Sequence, residues 1–356
     1  MTTPDAPEVR VALIGYGYAG RTFHAPLIRS VPGLALRVVA SSRPADVHAD
    51  LPGVTVVPDA LAAARSDDVD LVVIASPNDT HHPLARAALH AGKHVVVDKP
   101  FTVTTDEARE LIRLARERGR LLSVFHNRRW DADFLTVRQL VRSGALGNVA
   151  QFESHFDRYR PAVRARWREQ DVPGGGVWYD LGPHLLDQAV QLFGPPRAVS
   201  AHLARVRDGA VTDDWAHVLL EYDRMRAVLH ASMLTAGGTA RFTLHGTRGS
   251  FEKHGLDAQE DALKAGMPPG SPGWRRDPQG GTLYAADPET GEVKQRAVPN
   301  ETGDYRAYYA GVHAAITAGA ANPVPPEEAL TVMELLELAA RAAHEGRTLP
   351  YAPRAE

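Results

Sequence analysis

The chain has no cysteine, which removes disulfides and thiolate chemistry from consideration. Lysine is scarce as well. Of the 40 basic residues only Lys93, Lys99, Lys253, Lys264 and Lys294 are lysines, which leaves 35 arginines, so a single arginine carries little functional weight. No apolar run reaches the ~20 residues that span a bilayer, and no membrane partner is expected. Excess positive charge is also missing. The formal net charge is -3, so nucleic acid is not expected as a partner. The first residues are polar and acidic, and no secretory leader is read there. The expectation is a soluble cytoplasmic protein. What the chain does have is bulk: 356 residues, 44% of them hydrophobic, enough for about two domains with substantial cores.

The most informative stretch is the apolar run Val9 to Ile14 followed by Gly15-x-Gly17-x-x-Gly20 and a helix-compatible segment. Gly15 suits a tight turn. Gly17 lets a pyrophosphate lie against backbone, and Gly20 lets the helix pack on the strand. Tyr18 stands inside this turn. The same glycines also serve βα turns that bind no nucleotide.

Further strands are expected at Leu36 to Ala40, Val54 to Val57, Leu71 to Ala75, Val95 to Val97 and Leu121 to Phe125. Helical patterns lie between them, among them Pro83 to Ala91 and Thr105 to Arg118. Such alternation implies a doubly wound parallel sheet, which binds ligands at the carboxyl ends of its strands. After strand two come Ser41, Ser42 and Arg43, where an acidic side chain usually takes a ribose 2′-hydroxyl. Two hydroxyls and a guanidinium suit a 2′-phosphate instead, so NADP(H) is preferred, with NAD(H) as the alternative. After strand four, Ser76, Pro77 and Asn78 form a turn that either bonds a ligand or caps the next helix. After strand five, Lys99 precedes Pro100; a solvated loop lysine is the plainer reading of that residue.

The second half reads as α+β. Val149 to Arg158 alternates, with Phe152, Ser154 and Phe156 on one side and Glu153, His155 and Asp157 on the other. Arg197 to Arg205, Asp214 to Tyr222, Arg226 to Leu234, Ala240 to Gly246 and Gly249 to Lys253 follow through short turns, implying a large, mostly antiparallel open sheet. A free apolar face on it would suit a homodimer or homotetramer. Gly255 to Asn300 is Pro/Gly-rich and reads as an ordered loop, a candidate subunit contact, with no chemistry placed there. The expected domains are 1–125 and 126–356.

Asp180 and His184 stand four apart, on one face of a helix, with Pro183 between them. Pro183 lacks an N–H, so the helix is expected to begin close to Asp180. By spacing alone Asp180 is a plain N-cap and His184 a surface residue, or the two act together. A metal site with Asp187 is a third reading, but it lacks a further ligand cluster, and no metal is expected.

Taken together, GYGYAG, Ser76-Pro77-Asn78 with His81, Asp98-Lys99-Pro100, His126-Asn127-Arg128-Arg129-Trp130, and Gly174-Gly175-Gly176 followed by Asp180 and His184 resemble the Gfo/Idh/MocA oxidoreductases. The Thr22 to Pro26 and His126 to Asp131 stretches resemble its NADP-dependent branch, which contains scyllo-inositol dehydrogenases. That resemblance implies that Lys99, Asp180 and His184 meet at the nicotinamide, with His184 as general base, Lys99 steadying the oxygen and Asp180 orienting the substrate. It places Asn127, Arg128, Trp167 and Arg168 near the cofactor, and Asp98 stands where the family usually has Glu. Phe156, Arg158, Tyr159 and Tyr179, with Arg128, are candidates to line a polyol pocket, or else are core and surface residues. The implied activity is hydride transfer with a cyclic polyol or sugar. A non-catalytic NADP-binding sensor and a reductase of an imine or tetrapyrrole are the alternatives.

Overall fold

The computed structural model describes residues 7–287 and 289–353; the first six residues, which bear on the leader expectation, lie outside it. The chain forms two compact units. The first holds the described residues through Asn127 together with Ala258–Arg275 and Asp304–Leu330. The second holds Arg128–Asp257, Arg276–Gly303 and the described residues from Thr331 on.

In the first unit, β1 (Val9–Ile14), β2 (Leu34–Ala40), β3 (Thr55–Val57), β4 (Leu71–Ile74), β5 (His94–Val97) and β6 (Leu122–Val124) form one parallel sheet in the order β3-β2-β1-β4-β5-β6. All four residues of β4 are buried, as expected for a strand covered on both faces. The helices α1 (Ala25–Arg29), α2 (Pro44–Asp50), α3 (Ala60–Arg65), α4 (His81–His90) and α5 (Thr105–Arg118) alternate with the strands. The start of α5 is fixed by a capping box. Glu107 N–H donates to Thr104 Oγ1, and the Glu107 carboxylate accepts from Thr104 N–H at 3.1 Å. Its end is fixed by Gly119 at φ +60°.

The second unit begins with α6 (Ala132–Arg142), β7 (Val149–His155) and α7 (Val177–Phe193). Next come β8 (Ala198–Ala204), β9 (Trp215–Glu221), β10 (Arg226–Ser232), β11 (Ala240–Gly246) and β12 (Gly249–His254). With β13 (Gly281–Ala286), β14 (Val293–Val298) and β15 (Leu349–Pro350), its nine-stranded sheet runs β14-β13-β12-β11-β7-β10-β9-β8-β15, antiparallel except for the β7–β10 pair. One face packs on α7 through Phe152, Ala216, Val218, Ala227 and Leu229.

The expected loop over Gly255 to Asn300 is corrected. It contains α8 (Gln259–Lys264), β13 (Gly281–Ala286) and β14 (Val293–Val298), the last two a hairpin that extends the sheet. β14 is an edge strand of sequence VKQRAV, nearly all exposed, so it has neither an apolar run nor a buried alternation to betray it. α9 (Arg306–Ala318), α10 (Pro326–Glu345) and β15 (Leu349–Pro350) complete the chain, and no described helix is long and apolar enough to cross a membrane.

Candidate active site

In the first unit the glycine turn does what its sequence requires. Gly15 has φ +96°, and a Cβ there would sit 2.6 Å from the Ala75 carbonyl oxygen. A Cβ on Gly20 would overlap the Gly15 carbonyl oxygen, whereas one on Gly17 would meet nothing within 4 Å. Space at Gly17 beside tight packing at its neighbours is what a backbone cradle for a pyrophosphate needs. A cleft of about 1010 Å³ opens here, lined by Gly17, Tyr18, Arg43 and the Leu263–Pro269 region. Tyr18 donates to Glu260 of α8 at 2.7 Å, so the segment expected to carry no chemistry supplies one wall of this cleft. After β2, Arg43 donates to the Tyr16 carbonyl (2.9 Å) and forms an ion pair with Asp46 (3.4 Å), and its backbone N–H donates to Ser41 Oγ. Ser42 is exposed beside them.

The loops after β4 and β5 are tied together. The His81 ring is buried, with one nitrogen 2.9 Å from the Pro100 carbonyl and the other 3.0 Å from the Ser76 carbonyl. Burial pushes its pKa down despite Asp98 nearby. Ser76 shares a hydrogen bond with Thr80, and Pro77 leads into the short turn Asn78–Thr80, where Asn78 is buried. Beside Lys99, the Asp98 carboxylate accepts from the Lys99 amide at 2.8 Å and lies 3.7 Å from His24 Nε2. His24 is held in turn by Tyr309 at 2.6 Å, both side chains fully buried. Burial alone would raise the Asp98 pKa; the close approach of the His24 ring, with charge from Lys99, outweighs it and holds the pKa at about 2. Asp98 is therefore a fixed anion at the root of Lys99. Asn127, buried, ends the first segment of this unit.

In the second unit the placement of α7 decides the rest. Gly176, with φ +94°, is its N-cap, and a Cβ there would overlap the Asp213 carboxylate. The Val177 N–H donates to the Asp213 carbonyl and the Trp178 N–H to its carboxylate, each at 2.8 Å. The helix thus starts three residues before Asp180, which corrects the expected start. An acceptor remote in sequence, Asp213, satisfies the first N–H groups, and Pro183 lies inside the helix. Both plainer readings of the pair also fail. Asp180 is no cap but pairs with Arg168 at 3.2 Å, and His184 is no surface residue, being 6% exposed. Asp187, one turn on, is taken by a buried bidentate pair with Arg129 at 2.9 and 2.6 Å, which leaves the Asp180/His184/Asp187 metal reading without its third ligand.

His184 lies nearly parallel to the buried Phe156 ring, centroids 6.2 Å apart. Three guanidiniums surround that ring: Arg128 at 4.8 Å, and Arg158 and Arg241 each at 5.2 Å. Arg128 is also within 3.3 Å of Asp131, and Arg241 donates to Gln188 and Ser154. Arg168 packs over Trp167 at 4.5 Å. Tyr179 is pushed up to about 12 by burial and by the charges of Glu337 and Asp213, whereas Tyr159 is 59% exposed.

Residues 9–126 match the NAD-binding Rossmann fold of the Gfo/Idh/MocA oxidoreductase family, and residues 138–351 match its C-terminal alpha/beta domain. The chain belongs to the Gfo/Idh/MocA family. It is 52% identical to the uncharacterised oxidoreductase YdgJ of Escherichia coli K12 over 342 residues, 96% of this chain and 98% of that one. It is 37% identical to the Bacillus subtilis scyllo-inositol 2-dehydrogenase (NADP(+)) IolW over 96% of this chain and 95% of that one. A crystal structure of a candidate oxidoreductase from Klebsiella pneumoniae superposes with a TM-score of 0.90 at 54% identity, covering 98% of this chain and 97% of that one.

Within this Gfo/Idh/MocA chain, the first unit gathers the glycine turn and the loops after β2, β4 and β5. The second gathers Asp180 and Arg168 in one ion pair, and His184, Phe156, Arg128 and Arg158 around one ring. The sequence reading did not single out His24, Arg129, Asp213 or Arg241. His24 sits in the Thr22 to Pro26 stretch that marks the branch, a usable signal. Arg129 likewise lies in the His126 to Asp131 stretch, whereas Asp213 and Arg241 carry no local signal.

Proposed function

We propose that this protein is an NADP(H)-dependent oxidoreductase acting on a secondary hydroxyl, or the matching ketone, of a cyclic polyol or sugar such as an inositol. The carrying observation is a buried imidazole, His184, one helical turn beyond an acid that is itself ion-paired, in a chain whose other unit presents Lys99 beside a fixed carboxylate. Similarity along nearly the whole chain to a protein named as an NADP-dependent inositol dehydrogenase supports the substrate class and cofactor.

Gly15, Gly17, Tyr18, Gly20, Ser76, Pro77 and Asn78, with Pro100, Asn127, Trp167 and Arg168, hold the cofactor, and Ser41, Ser42 and Arg43 take its 2′-phosphate. When bound, the nicotinamide supplies the two-electron hydride chemistry. The His184 imidazole accepts the substrate hydroxyl proton in oxidation and returns it in reduction. The Lys99 ammonium hydrogen-bonds the same oxygen and stabilises its alkoxide character. Asp180 orients the substrate, and Phe156, Arg158, Tyr159 and Tyr179 line its pocket. Copies of the chain pair through the nine-stranded sheet.

The test is steady-state turnover of one inosose and one keto-sugar with NADPH and with NADH. Turnover favouring NADPH is expected. No turnover with any polyol, keto-sugar or inosose overturns the proposal.

A further inference from the structure

The open face of the nine-stranded sheet, opposite α7, carries a row of histidines. Register places them directly across from one another on four adjacent strands: His155 of β7 against His230 of β10, His230 against His217 of β9, and His217 against His202 of β8. On the same face, just past the end of β7, stands Asp157. Its carboxylate lies between two of the rings, with His155 Nδ1 3.2 Å from Oδ2 and His230 Nε2 3.6 Å from Oδ1. One donor atom from each of His155, Asp157 and His230 falls within 4.8 Å of the other two, the only such metal-competent trio among the described residues. The Asp157 side chain is 3% exposed, and its Oδ1 has no hydrogen-bond partner. A buried carboxylate oxygen left without a donor is costly, and it marks where a cation would be welcome.

We propose that His155, Asp157 and His230 form a binding site for a divalent transition-metal ion of the zinc class. Two imidazoles and a carboxylate suit zinc, which takes such ligands at about 2.0–2.2 Å and thus sets them about 3.3 Å apart in a tetrahedron. His155 Nδ1 lies 3.2 Å from Oδ2 and His230 Nε2 3.6 Å from Oδ1, so each imidazole stands near that spacing from one of the two oxygens of the same carboxylate before any ion is present. Water completes the coordination. The surroundings are those of a metal site too. Thr239 Oγ1 donates to Asp157 Oδ2 at 2.7 Å and fixes the carboxylate. His217 Nδ1 lies 3.4 Å from His230 Nδ1, so it orients that ring while Nε2 faces the ion. Trp215 packs edge-on against His230, with centroids 5.3 Å apart, and shields it. The ion staples β7 to β10, the one parallel junction in this sheet. It lies on the face opposite Phe156 and His184 and takes no part in hydride transfer. This departs from the sequence expectation of no metal, because His230 stands far from His155 in the chain and only strand register joins them.

The test uses tag-free full-length protein stripped with a chelator, then titrated with Zn2+ by calorimetry and with Co2+ by visible absorption. One Zn2+ per chain with a micromolar or tighter Kd is expected, together with a Co2+ absorption band of tetrahedral intensity. Zn2+ should raise the unfolding temperature, and the rise should keep growing with the logarithm of free Zn2+ above Kd. His155→Ala, His230→Ala and the near-isosteric Asp157→Asn should each weaken binding at least tenfold and abolish the Co2+ band, with oxidoreductase turnover unchanged. His217→Gln should weaken binding less. Absence of stoichiometric Zn2+ binding to the wild-type chain overturns the proposal. So does binding that survives undiminished in Asp157→Asn, a variant whose fold is checked by its metal-free circular dichroism.

Discussion

The two sheets place chemistry in different ways. In the six-stranded sheet every strand runs in one direction, so the loops after β1, β2, β4 and β5 leave from the same edge. Each loop is a contiguous run of sequence: Gly15 to Gly20, Ser41 to Arg43, Ser76 to His81, Asp98 to Pro100. In the nine-stranded unit, neighbouring strands other than β7 and β10 run in opposite directions, and no common edge collects their loops. There the candidate site forms around a single side chain, Phe156, from residues drawn out of four segments: Arg128, Arg158, His184 and Arg241. A parallel sheet converts local sequence into position, whereas an antiparallel one needs register and packing to do so.

The sharpest way to break this contrast is to remove one reacting group from each unit. Lys99→Ala and His184→Ala are each expected to lower kcat/KM by about 10²–10⁴-fold, with unfolding temperature nearly unchanged. If both groups serve one oxygen, the double variant loses much less than the product of the single losses. Activity untouched by either substitution removes the assignment of roles.

Next in size is the support beneath the second site. Arg129→Met leaves the Asp187 carboxylate buried without its bidentate partner, 3% exposed at the side chain. A stability loss of about 3–5 kcal/mol is expected in urea unfolding. Adding Asp187→Leu should recover most of that loss, because a well-packed apolar pair replaces a buried ion pair at little net cost. For the first unit, the comparable probe is smaller and affects only ligand binding. Arg43→Ala should raise the KM for NADPH about tenfold or more, the weight of a charge-assisted hydrogen bond, and leave that for NADH little changed. Equal effects on both nucleotides would detach Arg43 from the 2′-phosphate.

The parallel sheet, the glycine turn after its first strand and the alternation of β7 were legible because each rests on a local pattern. Phe152, Ser154 and Phe156 are buried, as that alternation requires, with Glu153 and His155 on the other side. The hairpin β13–β14 was not legible, since its outer strand is exposed on both faces and charged. Arg241 is a buried hub, yet among 35 arginines nothing in the sequence separates it from surface residues. Family resemblance brought Asp180 and His184 forward, but the start of their helix was misread because the cap comes from Asp213, more than thirty positions away.

That cap gives the smallest effect and the finest probe of the second unit. Burial pushes the Asp213 carboxyl up to about 6, against the hydrogen bond from Trp178 N–H, and Asp214 adds to the rise. A carboxyl whose folded pKa exceeds its unfolded one binds more protons in the folded state, so stability falls as pH rises from about 4 through about 6. Asp213→Asn removes the buried charge and keeps an oxygen for the Trp178 N–H; the Val177 bond uses the main-chain carbonyl and is untouched. The variant should therefore unfold a few degrees higher than the parent at about pH 7, with the two converging near pH 4, as followed by thermal melts across that range. The opposite ordering at pH 7 would mean that a negative charge at the N-terminus of α7 gains more from the helix dipole than burial costs it. Asp213 would then be an electrostatic anchor for the Asp180–His184 helix rather than a tolerated acid.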